Sequence, residues 1–168
     1  MTKLNLMNPL SLIKSQNECF EVNVGIENLK QILNRDGKKF HFKWQTENRF
    51  IVSLNFSFGS NLLFDTNYHN TKSDIIANGN VTEINHSKTK IALQTKNKYW
   101  LTLILIVPLI MLTLELSMNL GIPIPFYFVF PIGFILILNL VNKEDKRLIR
   151  KFKEYLNGEI NNALQQHL

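Results

Sequence analysis

The sequence predicts an α+β fold: an antiparallel sheet of about five to six strands, one N-terminal helix, a two-helix membrane hairpin and a C-terminal amphipathic helix. Three observations carry this. Short segments between Cys19 and Thr95 alternate apolar and polar residues with the period of a half-buried strand, and turn-forming residues separate them. From Trp100 to Val141 the sole formally charged residue is Glu115. Beyond Lys143 the apolar residues recur at helical spacing.

The expected organisation is an N-terminal segment 1–16, a sheet domain 17–98, a membrane hairpin 99–141 and a basic helix 142–168. In the sheet domain, Phe20, Val22 and Val24 alternate with Cys19, Glu21 and Asn23 as a first strand. Ile26, Leu29, Ile32 and Leu33 then share one helical face, and Gly37 is placed to stop that helix. Phe40, Phe42 and Trp44 form a strand, and Phe50 to Phe58 form the next after a polar turn at Gln45–Asn48. Leu62, Phe64 and Tyr68 suggest another strand. Ile75–Ile84 reads as a strand with a bulge or turn at Asn78-Gly79. His86-Ser87 turns the chain into a last strand, Thr89–Thr95. Short turns favour antiparallel neighbours.

Two apolar runs follow, 99–120 and 122–141. Each is about 20 residues, the length a helix needs to cross a hydrocarbon core of ~30 Å. Gly121 separates them, with Pro123 and Pro125 just beyond, so a turn near Asn119–Pro125 makes a hairpin. Pro108 and Pro131 lie within the runs and are expected to kink them. Lys96 and Lys98 precede the first run, and Lys143, Lys146 and Arg147 follow the second, whereas the connecting turn carries no cation. The positive-inside rule then places both termini and the sheet domain in the cytoplasm, at an inner membrane crossed more than once. Tyr99 and Trp100 stand at the expected aromatic anchor positions.

After the second run, Leu148, Ile149, Phe152, Tyr155, Leu156, Ile160, Ala163 and Leu164 make one stripe of an amphipathic helix. It has two homes, the membrane surface or the sheet, and docking on the sheet is preferred because the hairpin returns the chain beside it. The order strand, helix, strands, long helix is that of helix-grip folds, which suggests an apolar-ligand cavity lined by Phe40, Phe42, Trp44, Phe50, Phe56, Phe58 and Phe64. The same aromatic residues equally make an ordinary core.

The stretch FHFKWQTENRFIV (Phe40–Val52), Tyr68-His69-Asn70-Thr71, Ile75–Val81 and Thr89-Lys90-Ile91, followed by two apolar spans, resembles a group of small uncharacterised bacterial membrane proteins. In that group a short β-rich cytoplasmic domain precedes a two-helix hairpin and a cytoplasmic tail. The resemblance covers residues 38–156. Phe42 stands where the group has Gly, His69 replaces an Arg, and Asn78 looks like an insertion. The resemblance implies architecture and carries no activity.

The net charge of +6 is spread unevenly. Residues 1–98 hold 13 Lys/Arg against 8 Asp/Glu, and residues 142–168 hold 6 against 4. These cations flank the apolar runs and accompany no recognition motif, so the expected partner is a lipid bilayer and not nucleic acid. Cys19 is the only cysteine, which excludes an intrachain disulfide and a multi-cysteine metal site. Its expected state is a half-buried, inert thiol. The four histidines, His41, His69, His86 and His167, form no metal-ligand spacing. Phosphate-loop, dinucleotide and nucleophile-elbow motifs are absent, so no catalytic, cofactor or metal residue is assigned. Asp65, His69 and Asp74 flank one turn region without a pattern that specifies catalysis.

Three functional expectations follow. The first is a membrane-tethered cytoplasmic domain that binds a protein partner or assembles as a homo-oligomer. The second is a module that binds a lipid or other apolar ligand between sheet and helix. The third uses Glu115, the one charge in the apolar runs, for proton or ion movement through an oligomer. A plainer role for Glu115 is a local hydrogen bond, to Ser117 or Tyr127.

Overall fold

The computed structural model describes residues 15–35, 40–54, 73, 75–98 and 100–165. They form five strands and three helices: β1 Asn17–Val22, α1 Ile26–Asn34, β2 Phe40–Trp44, β3 Arg49–Leu54, β4 Ile76–Asn85, β5 Lys88–Thr95, α2 Trp100–Met118 and α3 Pro125–Gln165. The fold is α+β with one antiparallel sheet, in the order β1-β5-β4-β3-β2. Strands β2 to β5 run as a meander, and β1 returns to pair with β5. The expected continuation of β3 to Phe58, the strand through Phe64 and Tyr68, and Gly37 lie outside the described residues.

The chain divides into two units, residues 16–96 with 143–168, and residues 1–15 with 97–142. In the first, period-two alternation sends one side-chain set to the core. In β5, Thr89, Ile91, Leu93 and Thr95 are buried while Lys90, Ala92 and Gln94 are exposed. Residues opposite each other in register share a face, so Phe42, Val52 and Ala77 align on the core side, as do Trp44, Phe50, Gly79 and Leu93. Helix α1 buries Leu29, Ile32 and Leu33, the face its sequence spacing defines.

Gly79 is not the bulge that the sequence suggests. Strand β4 pairs without interruption through Asn78 and Gly79 on both sides, and the irregularity falls at Glu83/Asn85, beside the β4–β5 turn. Gly79 is required instead because the Phe50 ring lies over it: a Cβ there meets three ring carbons at 2.1–2.5 Å. Gly25, at the N-terminus of α1, is similarly forced, since a Cβ there lies 2.5 Å from the His86 carbonyl oxygen. The His86-Ser87 turn is held by Asn85, whose Oδ1 accepts from the Ser87 N–H at 3.1 Å.

The C-terminal part of α3 docks on the sheet. Leu148, Ile149, Phe152, Leu156 and Ile160 are buried, the stripe expected from helical spacing. Phe152 packs on Phe40 and Phe50 with ring centroids 5.6 and 5.5 Å apart, and Tyr155 meets Phe40 edge-on at 5.1 Å. Polar contacts frame this seam. The Tyr155 hydroxyl donates to the Ile32 carbonyl at 3.1 Å, Lys153 Nζ to Glu18 at 2.6 Å and Arg35 to Glu159 at 3.1 Å.

In the second unit, Leu101 of α2 forms a buried cluster with Phe134 and Leu138 of α3, and Ile104 and Ile137 pack around it. Pro108 and Pro131 lie inside continuous helices. Between the helices, Asn119 (φ 48°) and Gly121 (φ 68°) take left-handed backbone conformations that turn the chain. The second apolar run and the amphipathic segment are one element, because α3 continues for 41 residues without a break at Asn142. Among the described residues one helix, within Pro125–Ala163, is long and apolar enough to cross a bilayer; in α2 the apolar stretch is the shorter Ile106–Met118.

Candidate functional site

The face of the sheet opposite α3 carries an open concavity of about 610 Å³ over β1, β5, β4 and the start of β3. Its floor follows from register. Asn17, Gln94 and Asn78 stand side by side on β1, β5 and β4. The next row is Cys19, Ala92, Asn80 and Arg49, across β1, β5, β4 and β3. Three carboxamides in one row, a fourth in the next and a guanidinium at the end make a surface of paired donors and acceptors. The small side chain of Ala92 leaves the centre of the concavity open. This surface suits a polar partner that offers carbonyls, amides or a carboxylate, and it has no nucleophile–base pair.

On the same side, Lys90 and Glu21 are register partners, and Lys88 forms an ion pair with Glu21. The hydrogen bond from Lys88, and then its charge, hold the Glu21 carboxyl below its usual range. In the helix–sheet seam, burial pushes the Tyr155 phenol up, and Glu159 adds to the shift while Arg35 opposes it.

Phe40 and Phe50 are buried core residues. Phe42 and Trp44 are half-buried and stack against Phe50 at 5.0 and 5.5 Å. These four expected cavity-lining rings therefore pack on one another and on Phe152. Trp44 also donates its indole N–H to Asn34 Oδ1 at 2.9 Å, tying β2 to α1. Phe56, Phe58 and Phe64 lie outside the described residues, as do Tyr99 and the side chain of Trp100. So do Asp65, His69, Asp74 and His167.

Glu115 sits near the end of α2, and its carboxylate accepts a hydrogen bond from the Ile122 backbone N–H at 3.1 Å. That bond caps the turn between α2 and α3. Ser117 Oγ bonds instead to the Thr113 carbonyl, four residues back. Of the expected interfacial cations, Lys143 and Lys146 are exposed, Lys96 is half-buried, and Arg147 pairs with Glu144 at 3.1 Å. Lys98 is buried, and its carbonyl accepts from Leu101 N–H at the start of α2.

Cys19 is exposed, not half-buried, because it points to the open face opposite Ala92. Among the described residues no group of three His, Cys, Asp or Glu side chains is placed to hold a metal ion. The amide row escaped sequence reading because its members are scattered over β1, β4 and β5. The signal was present as polar residues at the off-beat positions of alternating strands.

Comparison with protein-family models, curated proteins and solved structures finds no match for this chain.

Proposed function

We propose that this protein is a membrane-tethered interaction module. In this reading α2 and the first half of α3 cross the bilayer as a hairpin, both termini face the cytoplasm, and the open amide-lined sheet face meets a protein partner or a second copy. The observation that carries it is the exposure of large apolar side chains along both helices. Leu103, Leu109, Leu116, Phe128, Ile132 and Ile135 are each more than half exposed. Apolar surface of this extent is stable when lipid covers it. The cations on either side of the apolar runs support the cytoplasmic orientation.

The single cysteine makes the test direct. The protein is expected to resist alkaline extraction from membranes. Cys19 is expected to react with a membrane-impermeant maleimide only after the cells are lysed. Extraction as a soluble protein refutes the anchor, and labelling in intact cells refutes the orientation. A photo-crosslinker attached at Cys19 in isolated membranes is expected to give one discrete adduct that Arg49→Glu abolishes. Its absence removes the open face as the contact surface.

A further inference from the structure

Beside the sheet, α3 and the N-terminal end of β1 border a second, open groove, of about 460 Å³, to which Gln16, Glu18, Lys146, Arg150, Lys153 and Glu154 contribute. Its charges are not equivalent. Lys153 is engaged by Glu18 at 2.6 Å and lies over the Phe20 ring at 5.0 Å, so it forms a wall. Arg150 forms an exposed ion pair with Glu154, Nε to Oε1 at 3.8 Å, too long for a hydrogen bond; exposed pairs of this kind are weak and exchange readily for a stronger anion. Lys146 is exposed and has no ion-pair partner among the described residues. Lys146 and Arg150, four residues apart on one helix face, both line the groove.

We propose that this groove holds the phosphate of an anionic membrane lipid headgroup, with Lys146 and Arg150 as its ligands; the proposal rests on the reading that α3 crosses the bilayer. Sequence proximity supports the position: Lys146 and Arg150 follow Val141, the last residue of the apolar run, by five and nine residues. Cations this close to the end of a span belong with the headgroup layer. A guanidinium fork matches phosphate oxygens in pairs, and an ammonium adds a point charge. Lys143, Arg147 and Lys151 continue the cationic surface on the same helix and draw the groove toward an anionic leaflet. The source is a lipid and not free phosphate, because an open groove with two exposed cations gains little from a solute. A headgroup is already concentrated at the surface to which the helix is anchored.

The test uses the full chain in nanodiscs of phosphatidylcholine with a minor fraction of phosphatidylglycerol, with bound lipids counted by native mass spectrometry. Phosphatidylglycerol is expected to be retained in preference to phosphatidylcholine. Lys146→Gln with Arg150→Gln is expected to cut that preference by roughly 25-fold, about fivefold for each cation. Lys146→Arg is expected to keep it. The pair Lys43→Gln and Lys90→Gln, exposed on the sheet, is expected to leave it unchanged. Equal retention of both lipids, or equal loss in the Lys43/Lys90 control, overturns the proposal. Binding of inorganic phosphate in detergent at an affinity matching the lipid overturns the choice of source. Alkaline extraction separates the two readings: a chain that leaves the membrane removes the anchor, and one that stays but shows no lipid preference removes this site alone.

Discussion

Replacing Gly79 with alanine distinguishes a packing glycine from a bulge glycine. The added Cβ meets Phe50 ring carbons at 2.1–2.5 Å, about 1 Å inside ordinary contact. The ring has no easy retreat, since Phe50 is fully buried with Phe42, Trp44 and Phe152 around it. Overpacking of this kind costs about 1–3 kcal/mol, against a gain of roughly 0.5–1 kcal/mol from a less flexible unfolded chain. A net loss of about 1–2 kcal/mol is expected for Gly79→Ala. Phe50→Leu alone also destabilises, by removing ring contacts. The double variant is expected to be more stable than the sum of the two losses by at least ~1 kcal/mol, because a smaller side chain at residue 50 leaves room for the methyl group. The assay is urea unfolding of the full chain in detergent micelles, with Trp44 fluorescence read in a Trp100→Phe background. A neutral Gly79→Ala variant, or additive losses in the cycle, would refute the reasoning.

Phe152→Ala removes the side chain on which Phe40 and Phe50 both pack, and is expected to cost about 3–5 kcal/mol in the same unfolding assay. Limited proteolysis should then cut α3 near the exposed Asn157 well before it cuts the parent protein. The raised Tyr155 phenol means that the unfolded chain loses this proton first, so stability is full below about pH 10 and declines as pH rises toward the folded value. Tyr155→Phe should flatten that alkaline decline in pH-dependent melting. Glu115→Gln keeps an acceptor for the Ile122 N–H and should leave stability nearly unchanged, whereas Glu115→Ala should cost roughly 1–2 kcal/mol. Proton flux into liposomes should be the same for the parent protein and for Glu115→Gln; a loss of flux in the variant would give the carboxylate a transport role.

Local periodicity made much of the fold readable. The alternation Phe40-His41-Phe42-Lys43-Trp44 marks β2, and the apolar spacing of Leu29, Ile32 and Leu33 marks the buried face of α1. Leu148, Phe152 and Leu156 likewise mark the docked face of α3. The readings that needed correction concern contacts between residues distant in sequence. Gly79 resembles a bulge until Phe50, 29 positions earlier, is found opposite it in register. Cys19 looks half-buried until β1 is placed at the sheet edge with its odd-numbered side chains on the open face. The amide row was illegible for the same reason, since Asn17 meets Gln94 only when the first strand pairs with the last. The unbroken passage of α3 through Asn142 was also hidden, because a change from apolar to charged residues looks like a boundary although the helical backbone is indifferent to it.

The sheet unit is assembled from two stretches of chain, 16–96 and 143–168, separated by α2 and the first part of α3. This has a consequence for the order of events during synthesis. The five strands are complete once Thr95 has been made, but Phe152 and Leu156 follow more than 50 residues later. At about 5–20 residues per second, the apolar face of the sheet waits roughly 3–11 s for its cover. During that interval Phe40 and Phe50 lack their partner ring, and the nascent domain is open to aggregation or to chaperone capture. The final helix thus acts as a late latch, and completion of this core depends on the ribosome having first passed the whole apolar region.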